Sequence, residues 1–360
     1  MGSGIALHLD ATRARAACLG PSGALVQALD SSGMANIPMV VAEGGRGGVL
    51  CGRQAVAAML EQPSRAAGSF LHLLGIPGAN VLGADPHRLL EAAVEPLGRI
   101  GRRDSAVCLA APGYLDDTAL TAAAKAVESA GWKVRVAAPS ALALWAAARS
   151  QASAPTGIVC ECDDRALTLT VVEEHGSWVR VGCSRVLRPL ALPAWRKAIV
   201  SGMADAVIRE CRRDPRATPG LDGALSRQAM RWLDEDSPPP RSATLELAAA
   251  EWSVKLPVTR EMTTRWCAPL LRSLQAAVSE LQALWPVKAL VLGSTANLPG
   301  VALLAEALHE NWLGPLDANG PLLAQLDWLE ALGRDKASAG LWREAPLPEA
   351  MAGSAGRCLP

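Results

Sequence analysis

Tyrosine and phenylalanine are almost missing from this chain, with one of each in 360 residues. That argues against a nucleic-acid module built on stacked Phe or Tyr, although the eleven tryptophans keep some capacity to stack. Charge of one sign is not in excess either. Thirty-five Lys and Arg balance thirty-five Asp and Glu, so a general attraction to nucleic acid or to an anionic membrane is not expected, beyond a local basic patch. No apolar run is long enough to span a bilayer, and the start, MGSGIALHLDATRAR, has no basic segment ahead of an apolar one. The expectation is a soluble, cytoplasmic protein without membrane insertion. The chain also has no His-Glu-x-x-His helix, no Cys-x-x-Cys pair and no Gly-x-Ser-x-Gly elbow. Its nine cysteines are odd in number and scattered, apart from Cys160 and Cys162. They read as small buried thiols in a reducing compartment rather than a metal site or disulfide framework.

What is present is apolar mass and a repeated strand plan. Half of the residues are hydrophobic, enough for a sizeable core, and the length allows two domains or one bilobed one. In Gly157–Glu174, Ile158, Cys160 and Cys162 share one face of a strand, Asp163–Arg165 form a polar turn, and Leu167, Leu169 and Val171 alternate after it. His175–Ser177 then turn into a third strand, Trp178–Cys183. The same plan stands at the N-terminus, where Ile5–Leu9, the turn Asp10–Arg13, Ala14–Leu19, the turn Gly20–Gly23 and Ala24–Ala28 succeed one another. Two such units half a chain apart point to an internal duplication.

Between and after these units the signals alternate. Pro38–Cys51 reads as a hairpin and Gly52–Leu60 as a helix. Asp85 caps a helix from Pro86 to about Ile100, and Asp116 or Asp117 caps one running to Ala130, ended by Gly131. Strands are expected at Val107–Ala111, Lys133–Ala137 and Ala289–Leu292, with helices at Pro139–Arg149, Ala194–Arg213, Leu221–Leu233, Thr259–Leu284 and Gly300–Asn311. Ser242–Leu247 and Trp252–Val258 look like a hairpin pair, and Asp234–Arg241 is a proline-rich loop. Strand, turn and helix in alternation argue for α/β lobes.

Three segments carry a resemblance. VCLAAPGYLDDTALTAAAKAVESAGWKVRVAAPSALALWAA, LCGRQAVAAMLEQPSRAAGSFLHLLG and ALVLGSTANLPGVALLAEAL resemble segments of the nucleotide-binding half of the 70-kDa heat-shock (DnaK-type) chaperones, within the actin-like ATPase superfamily. Leu326–Gly333 is a weaker echo of that family's closing motif. The resemblance implies a bilobed actin-like ATPase fold of duplicated ribonuclease H-like lobes, 1–155 and 156–343, with a helical and hairpin insertion at about 194–285, a loose tail at 344–360 and no peptide-binding domain.

The departures fall where phosphate chemistry would be. The family's first phosphate loop, Asp-Leu-Gly-Thr-Thr, is matched by His8, Leu9, Asp10, Ala11 and Thr12. Its second, Asp-Leu-Gly-Gly-Gly-Thr-Phe-Asp, falls on Glu161–Thr168. The family lysine falls at Leu71, its Gly-Gly before a later helix at Ala191 and Leu192, and its adenosine-helix Glu and Lys at Arg227 and Met230, while Arg231 is kept. Glycines let backbone N–H groups converge on an anion; Asp163, Asp164 and Arg165 remove that freedom and add two carboxylates. Their plain reading is as solvated residues at a hairpin tip. Glu161 is a lone carboxylate that can hold a metal water, and His8 reads as a hydrogen-bonded core histidine. The adenosine side is better kept: Gly293 and Ser294 can let a flat base approach, and Arg231 can stack on it. The same residues also read as a tight turn and a surface arginine. Asp10 and Thr12 can cap the first turn.

No cofactor is required, and ATP or ADP is expected to bind weakly at most through Asp10, Thr12, Arg231, Gly293 and Ser294. The leading expectation is a non-catalytic pseudo-ATPase that binds another protein in a chaperone-like or assembly role, alone or as an oligomer. A slow ATP-dependent chaperone-like ATPase, and an actin-like scaffold of a pilus or cell-division assembly, are the alternatives. Trp195, Trp266, Trp285 and Trp312 read as core anchors; several exposed together would instead mark a partner surface.

Overall fold

A computed structural model describes residues 4–29, 33–44, 48–95, 97, 100, 105–149, 154–218, 220–233, 242–308, 312–314, 316–317, 319–335 and 340–347. The chain opens with an antiparallel meander, β1 (Ile5–Leu9), β2 (Arg13–Leu19) and β3 (Leu25–Gln27). β4 (Ile37–Pro38), β5 (Val40–Glu43), β6 (Val49–Cys51), α1 (Gly52–Glu61) and β7 (Ala66–Gly68) follow. β5 pairs antiparallel with both β6 and β7 in a small sheet, so the hairpin expected before Cys51 is present. Then come α2 (Pro86–Val94), β8 (Ala106–Ala111), α3 (Asp117–Ser129), β9 (Lys133–Pro139) and α4 (Ser140–Ala148).

A second meander follows, β10 (Thr156–Cys162), β11 (Leu167–His175) and β12 (Trp178–Leu187). It leads into α5 (Leu192–Cys211), α6 (Leu221–Trp232) and the hairpin β13 (Ser242–Ala248) and β14 (Ser253–Thr259). The rest is α7 (Arg260–Trp266), α8 (Ala268–Leu284), β15 (Ala289–Leu292), α9 (Val301–Leu308), β16 (Trp312–Leu313), α10 (Gly320–Asp335), β17 (Gly340–Leu341) and β18 (Glu344–Pro346). The proline-rich loop expected at Asp234–Arg241 lies outside the described residues.

The fold is mixed α/β, and its two main sheets repeat one strand order. The first runs β17-β9-β8-β1-β2-β3 and the second β16-β15-β10-β11-β12-β18. In each, the first meander strand lies beside a parallel strand reached through helices, β8 beside β1 and β15 beside β10. The repetition legible in the two strand–turn–strand units therefore extends to five strands of each sheet, while β17 and β18 add an edge strand at opposite ends.

Local chemistry sets the helix ends. Asp85 Oδ1 accepts from His87 N at 2.8 Å, with Pro86 in the first turn of α2, and Asp116 Oδ1 accepts from Ala119 N at 2.8 Å ahead of α3. α2 stops at Val94 rather than near Ile100, because proline at position 96 has no N–H to give Ala92 O. That carbonyl accepts from the Cys51 thiol instead, at 3.1 Å. The single helix expected over Thr259–Leu284 is two helices. Pro269 cannot donate to the carbonyl of Arg265, so the chain breaks at Cys267. The break lets the Trp266 ring lie against Gly202 of α5. The expected loose tail also needs correction: Glu344–Pro346 pair with β12, and Leu347 N donates to Ser177 O at 2.7 Å; 348–360 lie outside the described residues.

Burial joins the two sheets. One face of the first packs on α2 and α3 through Leu89, Leu90, Leu120 and Ala123. One face of the second packs on α5, α6 and α8. Between the sheets lies α4, apolar at every position after Ser140 and buried at eight of its nine positions, as such a helix must be. Its core holds Cys108 and Val136 from the first sheet, Val159, Val172 and Val291 from the second, and Trp328 of α10. α10 and β17 come between β16 and β18 of the second sheet in the chain yet pack on the first, where Leu322 and Leu326 cover Ala6 and Ala17 and β17 pairs with β9. Trp195 is fully buried, Trp266 and Trp285 are half-buried against the core, and the side chain of Trp312 lies outside the described residues. Among the described residues no helix is long and apolar enough to cross a membrane.

Trp145 reaches β10 because Gly157 has no side chain; a Cβ there would overlap the indole and stand 2.8 Å from Ala289 O. Gly157→Ala is expected to cost about 1–3 kcal/mol by overpacking, measured as a lower midpoint in denaturant unfolding at unchanged slope.

Candidate functional site

The tips of the two meanders meet, and each is built by an aspartate. At the first, Asp10 N donates to Arg13 O at 2.9 Å, and Asp10 Oδ1 accepts from Thr12 N and Arg13 N at 2.6 and 2.8 Å. At the second, Asp163 N donates to Ala166 O at 3.0 Å, and Asp163 Oδ1 accepts from Arg165 N and Ala166 N at 2.8 and 3.0 Å. These are equivalent Asx-type turns. They differ in the second oxygen. Asp10 Oδ2 accepts from its neighbour Arg13 Nε at 3.2 Å, whereas Asp163 Oδ2 crosses to the other sheet and accepts from Ala11 N at 2.9 Å and Tyr114 Oη at 2.7 Å.

Other bonds stitch the same junction. Asp164 N donates to Thr12 Oγ1 at 3.2 Å, and Leu192 N, opening α5, donates to Asp163 O at 2.9 Å. Asp164 also pairs with Arg196 at 3.5 Å. The backbone donors of Ala11, Thr12, Arg13, Asp164, Arg165, Ala166 and Leu192 thus all end on oxygens of the chain itself. Reading Asp163 as a solvated tip residue is therefore corrected: it is 4 % exposed. Tandem acidic residues between strands look like any polar turn, and the burial comes from a partner 152 positions away.

Beside this junction lies a cleft of about 120 Å³, lined among others by His8, Asp10, Arg15, Tyr114, Glu161 and Gly293. That is below the roughly 300–1,000 Å³ of typical small-molecule sites. Glu161 Oε1 accepts from Ser140 Oγ, at the start of α4, at 2.5 Å, while its Oε2 is enclosed without a hydrogen-bond partner. Burial raises the Glu161 carboxyl to about 8 against the hydrogen bond from Ser140, so the acid is mostly protonated at neutral pH. His8 does not have the bonded core environment expected of it: Nδ1 has no partner, and burial lowers the imidazole to about 4. Asp163 rises to about 6, burial and the Asp10 charge outweighing the bonds from Ala11, Tyr114 and Ala166. Burial, then Asp163, raises the Tyr114 hydroxyl well above its ordinary value.

Of the residues the sequence singled out, Asp10, Thr12 and Gly293 come together here. Asp10 caps its own turn; Thr12 accepts from the opposite one. Arg231 is exposed on α6 and is not among the cleft's lining residues. The side chain of Ser294 lies outside the described residues, and its neighbour Thr295 donates to Cys160 O at 2.9 Å. Leu71, at the lysine position, is buried in the core. Among the described residues no group of three or more His, Cys, Asp or Glu side chains is placed to hold a metal ion. Sequence reasoning missed Tyr114 and Ser140. The signal for Tyr114 was its being the sole tyrosine of the chain, directly after a buried strand; Ser140 carried none. No family model matches the chain, and no curated protein matches its sequence.

The buried acids give the fold a pH dependence. Glu161 holds its proton more tightly folded (about 8) than unfolded (4.5), so its contribution falls as pH rises between those values. His8 works in the opposite sense, losing stability as pH falls from 6.5 to about 4, and the change from Asp163 is complete by about 6. Between pH 6.5 and 8 the thermal midpoint is expected to fall with a loss of about 1–2 kcal/mol. In Glu161→Gln, which keeps the acceptor for Ser140, that slope should vanish in a pH series of thermal scans.

Proposed function

We propose that the chain is a non-catalytic, DnaK-like module of the bilobed actin-like plan, and that it acts by binding another protein in a chaperone-like or assembly role. One observation carries this: the Asp163 carboxylate occupies the junction of the two strand turns and takes backbone N–H groups from both. In the family the sequence resembles, the matching turns are the phosphate loops. Here an internal anion sits among the donors, so a nucleotide phosphate has neither free N–H groups nor a neutral site to enter. Two unit charges about 4 Å apart repel by ~4 kcal/mol at an effective dielectric of 20, and Asp10 adds a second negative charge beside Asp163. The equal strand order of the two sheets, and a buried helix shared between them, support the bilobed part of the reading. The small cleft between them supports its non-catalytic part.

With the phosphate seat filled, the two halves are tied by side-chain and backbone bonds rather than by a nucleotide. The scaffold then has one resting arrangement, which suits a recognition surface better than a nucleotide-driven cycle. Millimolar MgATP is expected to leave the thermal midpoint unchanged, since a ligand that bound only the folded state would raise it. ATP turnover abolished by changing Glu161 or Thr12 would sink the reading. Asp163→Ala strands four donors, two of them in fully buried bonds, and is expected to lower stability by roughly 2–5 kcal/mol; Asp163→Asn, which keeps the shape and one acceptor oxygen, should lose less in the same denaturant titration.

A further inference from the structure

A solvent-open groove of about 550 Å³ runs between α7, α8 and the side of α9. Its apolar floor is Ala268, Leu271 and Leu303, the last 51 % exposed. The floor exists because α9 starts close to the other two helices. Gly300 has φ +82°, and a Cβ there would stand 2.6 Å from Leu271 Cδ1 and 2.8 Å from Thr264 Cγ2.

The groove's walls are cationic. Arg260 and Arg265 of α7 and Arg272 of α8 line it, and none forms an ion pair among the described residues. Glu261 is the one acid against them, its carboxyl held below the usual range by a hydrogen bond with Thr259. In a chain of zero net charge, this local excess is set by placement. Guanidinium forks match carboxylates in two-bond geometry, and the half-buried Leu271 and exposed Leu303 between them match aliphatic side chains.

We propose that this groove is the docking site for a partner segment that is acidic and carries leucine-like side chains, laid along α8 as a peptide lies in a helix-lined groove. The charge complementarity specifies acid, and the aliphatic floor favours a peptide over single-stranded nucleic acid, which binds on aromatic stacking surfaces. The proposal rests on the protein-binding reading above and names the chemistry of the partner.

The test is fluorescence anisotropy of the full chain with a fluorescein-labelled amphipathic peptide of Glu and Leu, beside a Lys and Leu peptide of the same pattern and a labelled oligothymidylate. Saturable binding of the Glu peptide alone is expected, weakened by salt and reduced about tenfold or more by R265E/R272E. Leu303→Asp, at an exposed position, should weaken it too and serves if the double variant proves unstable. Equal binding of the Lys peptide, tighter binding of the oligonucleotide, or undiminished binding by the folded variants would overturn the proposal. So would concentration-dependent dimers, seen in sedimentation, that R265E/R272E dissolve, because a second copy would then be the occupant. The cleft reading is decided separately by MgATP, so failure of the groove leaves it standing, and ATP turnover would refute it without altering the anisotropy result.

Discussion

A single carboxylate holds the two halves of the molecule in register. Asp163 accepts from Arg165 and Ala166 in its own turn and from Ala11 and Tyr114 in the other half, four donors on two oxygens. A buried carboxylate loses several kcal/mol of hydration, which only good geometry and multiple donors offset. Here the offset is incomplete. The proton affinity of Asp163 rises rather than falls, so the junction is maintained against a residual electrostatic strain that burial and Asp10 impose.

That constraint makes sense of its surroundings. α4 lies between the sheets and buries nearly every side chain, Trp145 is seated by Gly157, and the Trp145 indole N–H is bonded to Glu174 at 2.8 Å. With the sheets so closely joined at α4 and again at the turns, the space left between them is small. In the proposed reading, a cleft suited to holding a charged ligand is instead closed by the chain's own acid. Recognition then moves to outer surfaces such as the arginine-lined groove, where charge is not already paired. The two sites use opposite logic: at the junction the backbone donors of the two turns end on the chain's own oxygens, whereas in the groove three guanidiniums form no ion pair among the described residues.

Much of the fold was legible residue by residue. The two meanders, the Asp85 and Asp116 caps and the strand at Val107–Ala111 follow from short apolar runs, buried on both faces in β1, β8 and β10, and from short-range hydrogen bonding, which are local. Where reading failed, the reason was a competing local rule or a distant partner. Pro269 overrode an otherwise continuous helical pattern, and proline at position 96 shortened α2. His8 was expected to be bonded because buried imidazoles usually are, yet its Nδ1 is alone. The acidic tip at Asp163 gave no sign of burial, because nothing within that hairpin buries it. Arg231, singled out through the resemblance, stands exposed on α6 and is not among the cleft's lining residues.

The amino-acid sequence by itself determined the elements, their alternation and the repetition of the strand plan, because hydrophobic period, caps and prolines act within a few residues. It also placed Asp10 and Asp163 at equivalent positions after β1 and β10. Only the tertiary structure decided that one of the two would cap its own turn and pair with Arg13 while the other bridged to Ala11 and Tyr114. Hydrogen-bond partnership and desolvation depend on what stands within about 3 Å, and for Asp163 that neighbour lies 152 positions earlier in the chain.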